Sequence, residues 1–242
     1  MITKDTPLKD IISQNRLLQS VVERFNFKLP SWNVSVQQAC LLNGENPDFV
    51  IGILKAFDEN TDFPTQELMS FSLTSILNYL KKTHEYYLSK KLPEIELSIE
   101  NLIRDYAPGS PSLVHSGSLF LTYKEDLIKH IWEEELELFP YIEYLQTTKL
   151  QGFKFDVHSK LSKYSISTFI HSHDDHEKGL ESIKEIILAA ANQREPVMAY
   201  RIFLIQLEIF SKDLQKHSMV EDEILIPMAL KLEKELNNIL RN

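Results

Sequence analysis

Two stretches of the chain carry the same residue types in the same order. One is His130-Ile-Trp-Glu-Glu134-Glu-Leu-Glu-Leu-Phe-Pro140, and the other is His217-Ser-Met-Val-Glu221-Asp-Glu-Ile-Leu-Ile-Pro227. Each gives a histidine, a glutamate at +4, an acid at +5, a leucine at +8, an apolar residue at +9 and a proline at +10. On a helix, positions i and i+4 lie one turn apart on one face. An imidazole nitrogen and a carboxylate oxygen so placed reach one metal centre together. That donor pair suits iron or manganese, and a carboxylate has a second oxygen with which to bridge two cations. A single His-x3-Glu is commonly a surface ion pair. Two copies with the same leucine and proline downstream are not explained that way, and a buried imidazole or carboxylate needs a partner.

Other histidines fall on apolar stripes. His84 steps in register with Leu73, Ile76, Leu77, Leu80, Tyr87 and Leu88, so helical periodicity turns it toward a core. His173 and His176 keep step with Ile166, Phe169, Leu180, Ile183 and Ile187, while His171 falls off that stripe. One inward histidine on each of four helices, with two glutamates, is the donor set of a metal centre. The candidate ligands are His84, His130, Glu134, His173, His176, His217 and Glu221. His115 and His158 receive no role, and Trp132 and the Tyr86–Tyr87 pair read as packing.

The elements that must position these residues follow from the punctuation. Over residues 1–64, short apolar-periodic segments alternate with breaks. Leu8 to Val22 recurs at roughly helical spacing, Pro30 to Asn33 interrupts it, Val34 to Leu42 and Pro47 to Phe57 read as short helices, and Asn60 to Pro64 reads as a turn. So small a group of helices buries little core alone and is expected to dock on the rest. Four longer helical patterns follow over 65–242. The first runs from Gln66 to Asp105, with Pro93 kinking or dividing it, and the second from Leu113 to Leu145. A polar loop is expected over Thr147 to Phe155. The third pattern runs from Val157 to Ala191, and the fourth continues past Pro196 nearly to Asn242 with Pro227 inside it. Four long amphipathic helices joined by short loops are the makings of an antiparallel four-helix bundle. The fold class is all-α: a C-terminal four-helix bundle with a small N-terminal helical domain.

Composition agrees. Six glycines in 242 residues is low and favours helix over turn-rich sheet. A net charge of −9 repels phosphate backbones, so nucleic acid is an unexpected partner. Cys40 is the single cysteine, which rules out an internal disulfide or a cysteine-ligated cluster within one chain and fits a reducing compartment. The first residues begin no apolar signal segment, and no stretch has the roughly 20 apolar residues a membrane helix needs. The expectation is a cytoplasmic protein.

With the two His-x3-Glu segments and the Leu92-Pro93 ending of the first long helix in place, the chain resembles the repair-of-iron-centres family over nearly its whole length. That resemblance implies a hemerythrin-like bundle over 65–242 behind a small helical domain. It also implies an oxo- and carboxylate-bridged centre of two iron ions (Fe2+/Fe3+) with histidine ligands. Glu134 and Glu221 would bridge, and His130 and His217 would be terminal ligands. The family register of the third helix (an acid directly after the histidine, apolar residues at +7 and +10, a basic residue at +11) is met from His173 by Asp174, Leu180, Ile183 and Lys184. His176 is then an additional or supporting ligand. In the first helix the register lands on Glu85 and the apolar stripe on His84, with His84 favoured. The implied function is restoring or supplying iron to iron–sulfur centres under nitrosative or oxidative stress, with iron–sulfur acceptor proteins as partners. Readings from other classes are a sensor binding dioxygen or nitric oxide, and an oxidase or peroxidase using the same centre. The family's Cys-Cys-Gly-Gly turn has no counterpart here: the equivalent stretch, Phe25 to Asn33, holds no cysteine, and Cys40 reads as a small buried residue.

Overall fold

The computed structural model describes residues 2–106, 111–151, 165–170, 177–191 and 198–241. Among them the chain is all-α, with one isolated bridge between Pro7 and Ser35 in place of any strand. The N-terminal segment holds α1 (Leu8–Gln14), α2 (Arg16–Arg24), α3 (Val36–Asn43) and α4 (Pro47–Phe57). Asn15 splits the expected first periodic run: its backbone is extended and its side chain accepts the Leu17 amide, so it ends one helix and caps the next. Ser35 and Gln38 form a capping box at the start of α3, and Gly44 closes that helix at φ 71°, a conformation open to glycine at little cost.

Three longer rods follow, each made of two α-helices joined by a π-helical turn. After the short α5 (Thr65–Leu68), the first is α6 (Leu73–Tyr86), π1 (Tyr87–Lys91) and α7 (Leu92–Tyr106). The second is α8 (Pro111–Glu133), π2 (Glu134–Leu138) and α9 (Phe139–Gln151). Next come α10 (Ile166–Ile170) and α11 (Glu177–Ala191). The last rod is α12 (Met198–Val220), π3 (Glu221–Leu225) and α13 (Ile226–Arg241).

The π turns share one cause. Each is followed by an apolar residue and then a proline: Leu92-Pro93, Phe139-Pro140 and Ile226-Pro227. Proline has no N–H, and in α geometry its ring collides with the carbonyl four residues back. Widening the preceding turn relieves this without ending the helix. The residue before each proline accordingly donates its amide to the carbonyl five residues back, Leu92 to Tyr87, Phe139 to Glu134 and Ile226 to Glu221. Pro93 therefore does not divide its helix. The loop expected over Thr147 to Phe155 is also helical as far as Gln151, and the remainder lies outside the described residues. Partners sustain that last turn: Gln146 donates to Thr74, Lys149 pairs with Glu235 at 2.7 Å, and Thr148 is buried.

The contacts divide the chain into two compact units, and the division passes through continuous helices. One comprises Met1–Thr83, Tyr141–Thr168 and Lys216–Asn242. In it the N-terminal helices pack around Tyr79 of α6, whose ring meets Phe25, Phe49 and Phe57. Buried Arg24 donates to the Tyr79 hydroxyl at 2.8 Å and lays its guanidinium over Phe57. The expected docking of the small helices is thus onto the first half of α6. Further round the same unit, Glu233 of α13 accepts from the Tyr141 hydroxyl at 2.7 Å and from the Ile166 amide that opens α10. The other unit comprises His84–Pro140 and Phe169–Gln215. Its core joins Leu92, Ile95 and Ile99 to Phe120 and Leu127, to Leu180 and Ile183, and to Phe203 and Phe210. Helix α11 approaches α8 closely at Gly179, where a Cβ would lie 2.7 Å from the Tyr123 ring. No helix among the described residues is long and apolar enough to cross a membrane.

Candidate metal centre

In the unit that holds His84 and Glu134, the periodicity that put His84 on an apolar stripe buries it: its side chain is 1% exposed, as is that of Glu134. The His84 Nε2 lies 3.2 Å from Glu134 Oε2. Its Nδ1 lies 2.9 Å from Glu135 Oε1, and since an ionised carboxylate only accepts, the imidazole N–H donates. The ring stacks on Phe139, 5.4 Å between centroids and 2° from parallel. His130, one helical turn before Glu134, brings Nε2 to 3.5 Å from Glu134 Oε1, with its own side chain 14% exposed. Glu85, the alternative on the first rod, is exposed, and its carbonyl accepts from Ser89.

The unit that holds His217 and Glu221 contains the second copy of the spacing. His217 Nε2 lies 3.2 Å from Glu221 Oε1, as i,i+4 geometry requires, and both side chains are buried. Both Glu134 and Glu221 open a π turn, which is a common setting for functional residues in helices.

One ligand atom from each of His84, Glu134, His217 and Glu221 lies within 4.8 Å of the others. Two buried imidazoles and two buried carboxylates gathered this closely fit a metal ion chemically. A carboxylate withdrawn from water is costly, and a cation is the partner that offsets it. Nitrogen and oxygen donors without thiolate match iron or manganese. Of the remaining sequence candidates, His130 stands beside Glu134, and His173 and His176 lie outside the described residues.

Among known proteins, no family model matches the chain. Two relatives do. One, from Dickeya chrysanthemi (strain Ech1591), is named iron-sulfur cluster repair protein YtfE and is 27% identical over 160 residues, which is 65% of this chain and 66% of the relative. The second, from Musicola paradisiaca (strain Ech703), has the same name and is 24% identical over 161 residues, 66% of this chain and 67% of the relative. Over this part the chain is similar to iron–sulfur cluster repair proteins. The aligned part spans about two thirds of the length of these relatives.

The structure adds residues that helical spacing left without a task. The repeat's acid at +5 and apolar residue at +9 were visible in the sequence. In the first copy they are Glu135 and Phe139, both in contact with His84. Tyr87 is a second case. It stands six residues before Pro93, as Glu134 stands before Pro140 and Glu221 before Pro227, and it is fully buried. Read as packing, it also donates its hydroxyl to buried Asp213 at 3.2 Å. Trp132, expected to pack, is half exposed, because two residues past His130 points away from the buried stripe.

Proposed function

We propose that this chain holds two iron ions and uses them in the repair or iron supply of iron–sulfur centres under nitrosative or oxidative stress. The observation that carries the proposal is the buried group of His84, Glu134, His217 and Glu221, together with relatives named for iron–sulfur cluster repair. In this reading Glu134 and Glu221 bridge the ions. His84, His130 and His217 are terminal ligands, and His173 with His176 supplies the third helix's donor. The same proposal divides the chain into a small helical domain over 1–64 and a hemerythrin-like bundle over 65–242. Bound iron would supply one-electron redox chemistry and open positions for small ligands.

The protein's own residues define the surroundings. Glu134 and Glu221 offer anionic oxygens, and the apolar side chains Ile131, Leu138, Phe139, Val220, Ile224 and Leu225, buried beside them in sequence, keep water from the donors. Low local dielectric strengthens the attraction between these carboxylates and a cation. Reversible binding of dioxygen or nitric oxide as a sensor is the second reading. It is favoured by one observation: no cysteine stands at Phe25 to Asn33, and Cys40 is fully buried.

Protein purified from iron-sufficient cells, or reconstituted anaerobically with ferrous iron, should contain about two iron ions per chain, the number of the dinuclear carboxylate sites. Absorption and Mössbauer spectra should show a coupled pair. Protein that takes up no metal overturns the proposal. Transfer of iron from the reduced protein to an apo-cluster acceptor separates supply from sensing, because a sensor would bind its gas reversibly and keep its iron.

A further inference from the structure

We infer that Glu135 is a positioning residue that decides which nitrogen of His84 faces the metal centre; the inference rests on the metal-centre reading above. An imidazole can present either nitrogen, and its outer torsion is broad and roughly two-fold. Apolar burial fixes the place of the ring and leaves its flip undecided. In this chain two different contacts divide the task. Phe139 stacks on the ring within 2° of parallel and sets its plane. A stacking partner is the same for both flips, so it cannot choose whether a nitrogen or a carbon stands at each edge of the ring. Glu135 Oε1, at 2.9 Å from Nδ1, makes the choice. It accepts the Nδ1–H hydrogen bond and leaves Nε2 toward Glu134, 3.2 Å away. A carboxylate behind a ligating histidine also makes the metal-facing nitrogen more basic.

The backbone explains how one short stretch supplies all three contacts. Glu134, Glu135 and Phe139 belong to π2 and the residue after it. The bond from the Phe139 amide to the Glu134 carbonyl spans five residues, so residue 139 comes round one turn after residue 134. In α geometry that place belongs to residue 138. The proline at 140 thus acts at a distance on His84: it forces the wider turn that brings Phe139 under the ring while Glu134 and Glu135 address its two nitrogens.

The test is anaerobic ferrous-iron titration of the full chain as wild type, Glu135→Ala, Glu135→Gln and Glu137→Ala. Glu137 is an exposed acid on the same turn and controls for lost charge. Glu135→Ala should weaken iron binding by about 10–100-fold, the usual loss when a histidine ligand's outer partner is removed. Glu135→Gln keeps an acceptor oxygen and should bind within about threefold of wild type, and Glu137→Ala should match wild type. Circular dichroism of the metal-free variants should be unchanged, since the Glu135 side chain is 23% exposed. Equal affinity in wild type and Glu135→Ala overturns the inference alone. So does a loss in Glu135→Gln or Glu137→Ala as deep as in Glu135→Ala. Wild type that binds no iron overturns the metal-centre reading and this inference with it.

Discussion

Cys40 shows how burial decides the chemistry of a single side chain. It is fully buried on α3, and burial, with the charge of Glu45 adding to it, pushes its thiol up from the ordinary 9.0 to about 12. A thiol reacts as thiolate, so this cysteine is inert where the family's turn would offer reactive ones. Alkylation at pH 8 should be at least about a hundredfold slower in the folded chain than in denaturant, in line with the loss of thiolate and of access. The pH sign follows from the raised value. The folded form holds its proton more tightly than the unfolded form, so the stabilising contribution is complete below pH 9. It is lost as pH rises from there toward about 12. Melting temperature should therefore fall less for Cys40→Ala than for wild type between pH 8.5 and pH 10.5. Rapid alkylation of the native protein would show that α3 opens readily.

At the scale of the element, the π turns set the register of the proposed metal donors. A proline inside a helix costs about 3 kcal/mol or more in α geometry, and a widened turn is the local answer. Replacing Pro140 with alanine returns an N–H to position 140 and removes the ring that forced the turn open. The helix is then free to reclose in α register, which swings Phe139 away from the face shared with Glu134. Pro140→Ala should leave the metal-free melting temperature unchanged or higher, and should lower iron affinity by about tenfold or more, as loss of ligand orientation does. A stabilising change that impairs a site is the common trade between stability and function. Unchanged iron affinity would show that packing alone, without the proline, maintains the register of π2.

At the scale of the whole molecule, the proposed metal centre would couple metal binding to stability. A cation that binds only the folded chain raises its stability by mass action, about 2.7 kcal/mol when free metal is 100 times Kd. For a chain of this size that corresponds to roughly 5–10 °C in melting temperature. Chelation should therefore lower the melting temperature of iron-loaded wild type by an amount in this range. Glu134→Ala and Glu221→Ala should each remove most of that dependence, because in the proposed centre each carboxylate would serve both ions. Thermal melts with and without iron decide the matter. Variants that keep full occupancy and the wild-type shift would reduce the repeat to helix packing.

Local spacing by itself determined a good deal of this protein. Apolar steps of three and four residues placed the rods and put His84, Leu180 and Ile183 on buried faces, and the i,i+4 interval set His217 beside Glu221 and His130 beside Glu134. Those are properties of one helix, and one helix is legible from its own sequence. The repeat also recorded its acid at +5 and its apolar residue at +9 without saying what they touch. Only the tertiary structure decided that Glu135 and Phe139 meet His84, that Tyr87 meets Asp213, and that Lys149 and Gln146 find partners that carry α9 past Thr147. It also decided between neighbours, burying His84 and exposing Glu85. Spacing along a helix fixes which residues share a face; what that face meets depends on the packing of other elements, and there the chain carries no local signal.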